Sequence, residues 1–445
     1  MATSDVELAT EHSIGHSVLQ VLNDDKEKGK DLGNRGLPLI FMVPSVLRDL
    51  STRSFNPRMV SIGPLHKQDK HLQEFEAQKA TYVHRFLYSL GTTPDKMLEE
   101  CVLKVSRKII LIKACYSDSM TYNDEELVRM MVIDACFILY FIHNIIERFG
   151  PFPLNMLLTP SINLDLLLIE NQIPFFVLRD IFESTILKYN PATSLNLYMH
   201  RLLITYNIFG DNSVSRNVSV DTNHDHLLGL FHKYFHPVNN IQTGVPTLPK
   251  RHSAMELDRA GVNFMTNQDD NWALAMKLEL LPRFSCFPWF WNKPTLKMPQ
   301  LLVDDRTELV LRNLIIYEQS SLVPKFVTTY AWAMGMLIET PQDVAKLVKS
   351  GVLVTVSSDQ NARNLIYNIC KEVVYENFFY HQEWDELDNY YNSYWPNAVA
   401  GLKRTYFSSP WNMIALFAGI TLFVLTVVQT IFTVMGENPI IVVKH

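Results

Sequence analysis

Four histidines crowd the segment HDHLLGLFHKYFH, at His224, His226, His232 and His236. On a helix His232 and His236 lie one turn apart on a shared face. Two neutral imidazoles there could grip a divalent metal, with Asp221 or Asp225 as a carboxylate ligand. A single pair at that spacing also arises easily in an ordinary helix, here one that Pro237 would stop. No metal is therefore assigned, and His232 and His236 stand as the candidates should one bind.

A second group consists of acids set inside apolar runs: Asp134, Asp165 and Glu170, the last followed by Asn171. A buried carboxylate is costly unless it is hydrogen-bonded, so each must have a partner. Paired carboxylates could serve acid–base catalysis or hold a metal. The structural reading is preferred: Glu170, Asn171 and Gln172 close off the ends of two adjoining buried helices, and Asp134 bonds a turn or an arginine. The third group is FSCFPWFWNKP, in which Phe284, Phe287, Trp289, Phe290 and Trp291 surround Pro288. It suits a recognition patch, a contact with the bilayer surface or a hairpin end packed on the core.

The chain contains no Gly-rich phosphate loop, no G-x-S-x-G elbow, no H-E-x-x-H and no kinase signature. No catalytic residue, cofactor or small-molecule substrate is assigned on this basis. A net charge of -6 with intermixed signs gives none of the concentrated basic face that nucleic acid requires. The five cysteines form no C-x-x-C pair and no zinc spacing, which fits buried, reduced thiols.

The elements that must position these residues are mostly helical. From Lys70 the pattern becomes helical, with Leu72, Phe75, Lys79, Tyr82, Val83, Phe86 and Leu87 on one face, and a second helix is expected through Met97 to Ile112. A third, from about 124 to 148, is apolar nearly all round. It carries Asp134 and His143, which marks a central core helix rather than a membrane span. Two apolar helical pieces are expected on either side of Glu170 to Pro174, and short strands or a hairpin in KLELLPRFSCFPWFW and PTLKMPQLLVDD. Further helices are expected from about 304 to 404. The predicted class is mainly α, with a small β hairpin or sheet.

Near the end, WNMIALFAGITLFVLTVVQTIFTV runs from Trp411 to Val434 without a charge, its polar members including Asn412 and Gln429. A helix of that length reaches about 36 Å, enough to cross a hydrocarbon core of about 30 Å. Lys403, Arg404 and Trp411 form a basic and aromatic collar suited to the interface. The start of the chain carries acids where an export signal would carry positive charge. The expected organisation is a polar tail over 1–36, a globular domain over 37–406 with a possible lobe boundary at 237–253, a membrane anchor over 407–435 and a short tail over 436–445. The globular domain is expected in the cytosol.

Several motifs come in an order that resembles a large plant family, domain of unknown function 247. They are VPSVLR (43–48), NPRMVSIGPLH (56–66), LQEFEAQKATYVHRFL (72–87), MMVIDACFIL (130–139), DLLLIENQIPFFVL (165–178), SAMELDRAGVNF (253–264), DDRTELVLRNLIIYEQ (304–319) and YFSSPW (406–411). Ala135 stands where the family commonly has glycine, and Leu65-His66-Lys67 replaces its usual paired histidines with glycine, which argues against a histidine-based catalytic site after Pro64. The resemblance implies a plant single-pass membrane protein without an established enzymatic activity. Certain grass members of that family lie at self-incompatibility loci as candidate pollen determinants. The expected role is therefore non-enzymatic, a module for protein recognition or signalling whose partners are the bilayer and an unidentified protein. The alternative is a hydrolase or transferase using Asp134, Asp165 or Glu170.

Overall fold

The computed structural model describes residues 38–90, 94–117, 121–147, 158–210, 224–239, 244–246, 248–267, 272–280, 294–393 and 410–436. The expected N-terminal tail, the aromatic group at Phe284 to Trp291, the collar residues Lys403 and Arg404 and the last nine residues lie outside these.

The apolar stretch after Asn123 forms the helix around which the N-terminal half packs. Asn123 caps it reciprocally: Glu126 N–H donates to Asn123 Oδ1 (2.9 Å) and Asn123 N–H to Glu126 Oε2 (3.1 Å). Three acids in the first turn suit the positive end of the helix dipole. This helix, Asp124–Glu147, is apolar enough to cross a membrane, yet most of its apolar window is buried in the protein. It is the central helix that its internal Asp134 suggests.

The helices in chain order are α1 (Ser45–Arg48), α2 (Gln73–Ser89), α3 (Pro94–Ser106), α4 (Ile109–Ala114), α5 (Asp124–Glu147), α6 (Thr159–Asp165), α7 (Phe175–Ser184), α8 (Ile186–Tyr189), α9 (Leu195–Thr205), α10 (Leu227–Lys233) and α11 (Ala254–Ala260). After the first strands come α12 (Thr307–Ser320), α13 (Phe326–Leu337), α14 (Pro341–Lys349), α15 (Asp359–Ile369), α16 (His381–Asn392) and α17 (Pro410–Gly436). α2, α3, α7 and α9 pack against α5. α2 buries Phe75, Lys79, Val83, Phe86 and Leu87, the helical stripe apparent in the sequence.

The strands are β1 (Asn263–Thr266), β2 (Lys277–Glu279), β3 (Thr295–Met298), β4 (Leu301–Val303) and β5 (Leu353–Thr355). β3 is the middle strand of one sheet, parallel to β1 and antiparallel to β2, while β4 and β5 form a parallel pair. The molecule is mainly helical with small sheets.

Two elements differ from expectation. The helix expected through Met97 to Ile112 is broken at Arg107-Lys108 into α3 and α4. The expected break at Glu170 to Pro174 is present but begins earlier, since Leu166 to Ile169 are not helical either. α6 stops at Asp165 and α7 starts only after Pro174, whose fixed φ and missing N–H suit the residue before a helix. The intervening turns direct polar side chains sideways into another part of the chain.

Candidate functional site

Residues 38–66, LPLIFMVPSVLRDLSTRSFNPRMVSIGPLH, cross the surface of the helical body as a strap with little regular structure. Its apolar residues Ile40, Val43, Phe55, Val60 and Ile62 are buried. A buried backbone without a sheet or helix must find other partners for its N–H groups. The strap finds them in side chains.

Asp165 accepts from three successive backbone N–H groups: Arg58 at Oδ1 (2.9 Å), Met59 at Oδ2 (2.6 Å) and Val60 at Oδ2 (2.9 Å). Asn171 takes both edges of the next residues, accepting from Ile62 N–H (2.7 Å) and donating to the Val60 carbonyl (3.0 Å). Its amide also donates to the Asp165 carbonyl at 2.9 Å, closing the end of α6. Asp134, on α5, accepts from Gly63 N–H (2.8 Å) and from Lys79 Nζ of α2 (2.7 Å). Lys79, itself fully buried, also donates to the Ser61 carbonyl and pairs with Glu76. Together these groups do the work of a neighbouring strand.

Gly63 is required by this arrangement. Its φ is +73°, and a Cβ there would come within 2.5 Å of the Gln172 carbonyl oxygen. Gln172 joins helix ends instead: its amide donates to the carbonyls of Leu166 (2.8 Å) and Leu168 (2.9 Å) and accepts from Leu228 N–H of α10 (3.2 Å).

Glu170 fastens the two ends of the strap together. Oε1 accepts from Val43 N–H (2.6 Å) and pairs with Arg48, which Asn56 holds from the other side. Oε2 lies 2.8 Å from His66 Nε2, and His66 Nδ1 lies 2.8 Å from Asp69. Burial alone would lower the His66 pKa. The hydrogen bonds and charges of Glu170 and Asp69 outweigh burial and raise it above the usual 6.5. Burial pushes the Asp165 carboxyl up to about 6, against the backbone N–H groups that favour its charged form.

A second polar group sits in the other half. Glu318, at the end of α12, caps the start of α13, accepting from Val327 N–H (2.8 Å), Thr328 N–H (2.7 Å) and Thr328 Oγ1 (2.6 Å). Its Oε1 also faces His232 Nε2 at 2.7 Å, and His232 Nδ1 faces His236 Nε2 at 3.3 Å. Burial, then the neighbouring charges of His232 and Lys233, pushes His236 down to about 3. The expected histidine pair is therefore brought together, with His232 turned to a carboxylate that caps a helix. Among the described residues, no three His, Cys, Asp or Glu side chains converge as a metal site.

Asp134, Asp165, Glu170 and Asn171 thus share one strap. Arg48 and Glu318 were not singled out in the sequence, while Lys79 was expected only on the apolar face of its helix and His66 only as a departure from the family pattern. The one local trace of the last was a lone acid ending the buried run LVLRNLIIYE. The four cysteines within the described residues are free thiols, three of them buried.

α17 stands apart from this body. Its Trp411–Thr433 portion has 23 residues, and its most apolar stretch has a mean hydropathy of 2.3 with nothing buried against the rest of the described chain. Trp411, Asn412 and Gln429 lie on it, and Val434 is within its last turn. Thr421, Thr426, Thr430 and Thr433 each return the hydroxyl to the carbonyl four residues earlier at 2.8 Å. That removes their cost in an apolar surrounding.

A strapped, mainly helical body followed by one long apolar helix defines the class of this protein. The chain belongs to a plant protein family of unknown function, whose profile matches residues 40–425. A UPF0481 protein of Arabidopsis thaliana is 27% identical over 427 residues, covering 89% of this chain and 86% of the relative. A second UPF0481 protein of the same plant is 23% identical over 488 residues, covering 88% and 89%. No solved structure matches the chain.

Proposed function

We propose that the chain is a membrane-tethered, non-catalytic helical module that recognises other proteins. The observation that carries the tether is α17, an uncharged helix long enough to cross a bilayer and uncovered by the described body. Lys403 and Arg404, just before it, favour a cytosolic body.

The chemically quiet part of the reading rests on the acids. Every carboxylate oxygen of Asp134, Asp165 and Glu170 takes a hydrogen bond or ion pair from within the chain. None is left directed at a substrate. Recognition rests on the family resemblance, and a part in self-incompatibility is its narrowest form.

Deleting residues 410–436 should move a tagged chain from membranes to the soluble fraction. Proximity labelling in plant tissue should then enrich proteins over a reporter that carries only the 410–436 helix. An unchanged distribution would sink the tether, and labelling no richer than that reporter's would sink recognition by the body.

A further inference from the structure

Between the buried Val43 and the buried Ser54, no residue of the strap is buried. α1 lies in this stretch and contributes nothing to the core. Arg48 ties the stretch down, and its guanidinium is only partly used. Nη1 donates to Asn56 and Nη2 to Glu170. Of the five N–H donors on such a group, three have no partner among the described residues. The Arg48 side chain is 20% exposed, so that edge is open to solvent. Arg53 is exposed and makes no hydrogen bond or ion pair among the described residues.

Thr52 lies between these two arginines. It is exposed, and its Oγ1 turns back to the Arg48 carbonyl at 3.4 Å, one turn away. The neighbouring hydroxyls are engaged or covered: Ser51 Oγ is 2.8 Å from Ser54 Oγ, and Ser54 is buried. Two guanidiniums with unused donors beside one exposed hydroxyl suit a tetrahedral dianion attached at that hydroxyl.

We propose that Thr52 is a phosphorylation site whose phosphate locks the strap through Arg48 and Arg53. A serine/threonine kinase would supply the group from ATP. The bond from the terminal phosphorus to the β-phosphate bridging oxygen breaks as the bond to Thr52 Oγ1 forms, ADP leaves, and the hydroxyl proton passes to the kinase. Phosphothreonine carries a charge of about −1.5 to −2 at pH 7. The exposed Asp49 opposes it, but two guanidiniums outweigh one carboxylate. In the cell the site is reached only from the cytosol, so this much rests on the placement of the body proposed above.

The test incubates the purified full chain in detergent with ATP and an arginine-directed serine/threonine kinase, then locates phosphate by peptide mass spectrometry. Thr52 should take most of the phosphate, and Thr52→Val should lose it. Hydrogen exchange then compares the two forms at the amides of Leu47, Arg48 and Asp49, which bond the carbonyls of Pro44 and Ser45. They should exchange about threefold more slowly in the phosphorylated chain. Arg48→Lys keeps a cation for Glu170 but lacks the spare planar edge, and it should abolish that protection. No phosphate at Thr52, no protection from it, or protection that survives Arg48→Lys would overturn the proposal. None of these outcomes depends on the membrane anchor.

Discussion

His66 Nε2 lies 2.8 Å from Glu170 Oε2 although His66 is only 4% exposed and Glu170 not at all. Nδ1 of the same ring also faces a carboxylate, on Asp69, and only the protonated ring can donate from both nitrogens, so the geometry favours the charged form and its pKa is raised. Glu170 therefore sits between His66 and Arg48 of the strap, with the Val43 N–H as a third donor. One buried carboxylate joins residues 43, 48 and 66.

Removing that charge should release the strap. Glu170→Gln leaves Arg48 and His66 facing a neutral group, and losing one partner of a buried pair costs about 3 kcal/mol or more. Urea unfolding of the variant should show a loss of that order. A loss below about 1 kcal/mol would mean that the pairing contributes little.

The strap should loosen as pH rises. The His66 pKa is raised on folding, so its stabilisation is complete below the unfolded value near 6.5 and is lost as pH climbs through the folded one. Asp165 acts with the same sign at lower pH. Its carboxyl titrates at about 6 folded against 3.8 unfolded, so stability falls as pH rises between the two. His236, whose pKa falls to about 3 on folding, acts with the opposite sign below its unfolded 6.5, so the His66 effect is read above it: the melting temperature should decline from pH 7 to pH 9, and His66→Gln should flatten that decline. A melting temperature that climbs above pH 7 would contradict the role given to His66.

Gly63→Ala should cost about 2–4 kcal/mol, combining a left-handed backbone with a Cβ 2.5 Å from the Gln172 oxygen. Gly351→Ala is a useful comparison, because its φ is +76° but the nearest atom to a Cβ there is 4.0 Å away. Thermal unfolding should show Gly63→Ala as the more damaging. Equal losses would show that backbone conformation alone, and not the contact with Gln172, sets the requirement.

Glu318→Ala should free the start of α13, removing the acceptor of Val327 and Thr328 and the partner of His232, at about 3 kcal/mol. Hydrogen exchange at those two amides should accelerate together. A chelator should leave the melting temperature unchanged. A drop on chelation, reversed by zinc, would instead make His232 and His236 metal ligands.

How much of this was legible in sequence depends on how local each signal is. α5 announces itself through an apolar stretch interrupted by Asp134, α17 through a long uncharged one, and the stripe on α2 through its period. LLLIENQI misleads because four successive apolar residues fit a buried turn as well as a buried helix, and the deciding contacts lie elsewhere. Asp134, Asp165 and Glu170 were noticeable as acids in apolar runs. Their partners were not, since Glu170 reaches Arg48 across 122 positions and His66 across 104. β5 escaped for a similar reason, being three residues paired in parallel with β4 some fifty positions earlier.

Carbonate extraction of native membranes, comparing the intact chain with a Leu422→Lys, Phe423→Lys variant, bears most directly on the account. Two lysines near the centre of the span cost about 5–7 kcal/mol on an insertion scale, enough to abolish a single-helix anchor. The intact chain should stay with the lipid and the variant should wash free. An intact chain found in the wash, or a variant retained as firmly as the parent, would contradict the claim that α17 lodges in the bilayer.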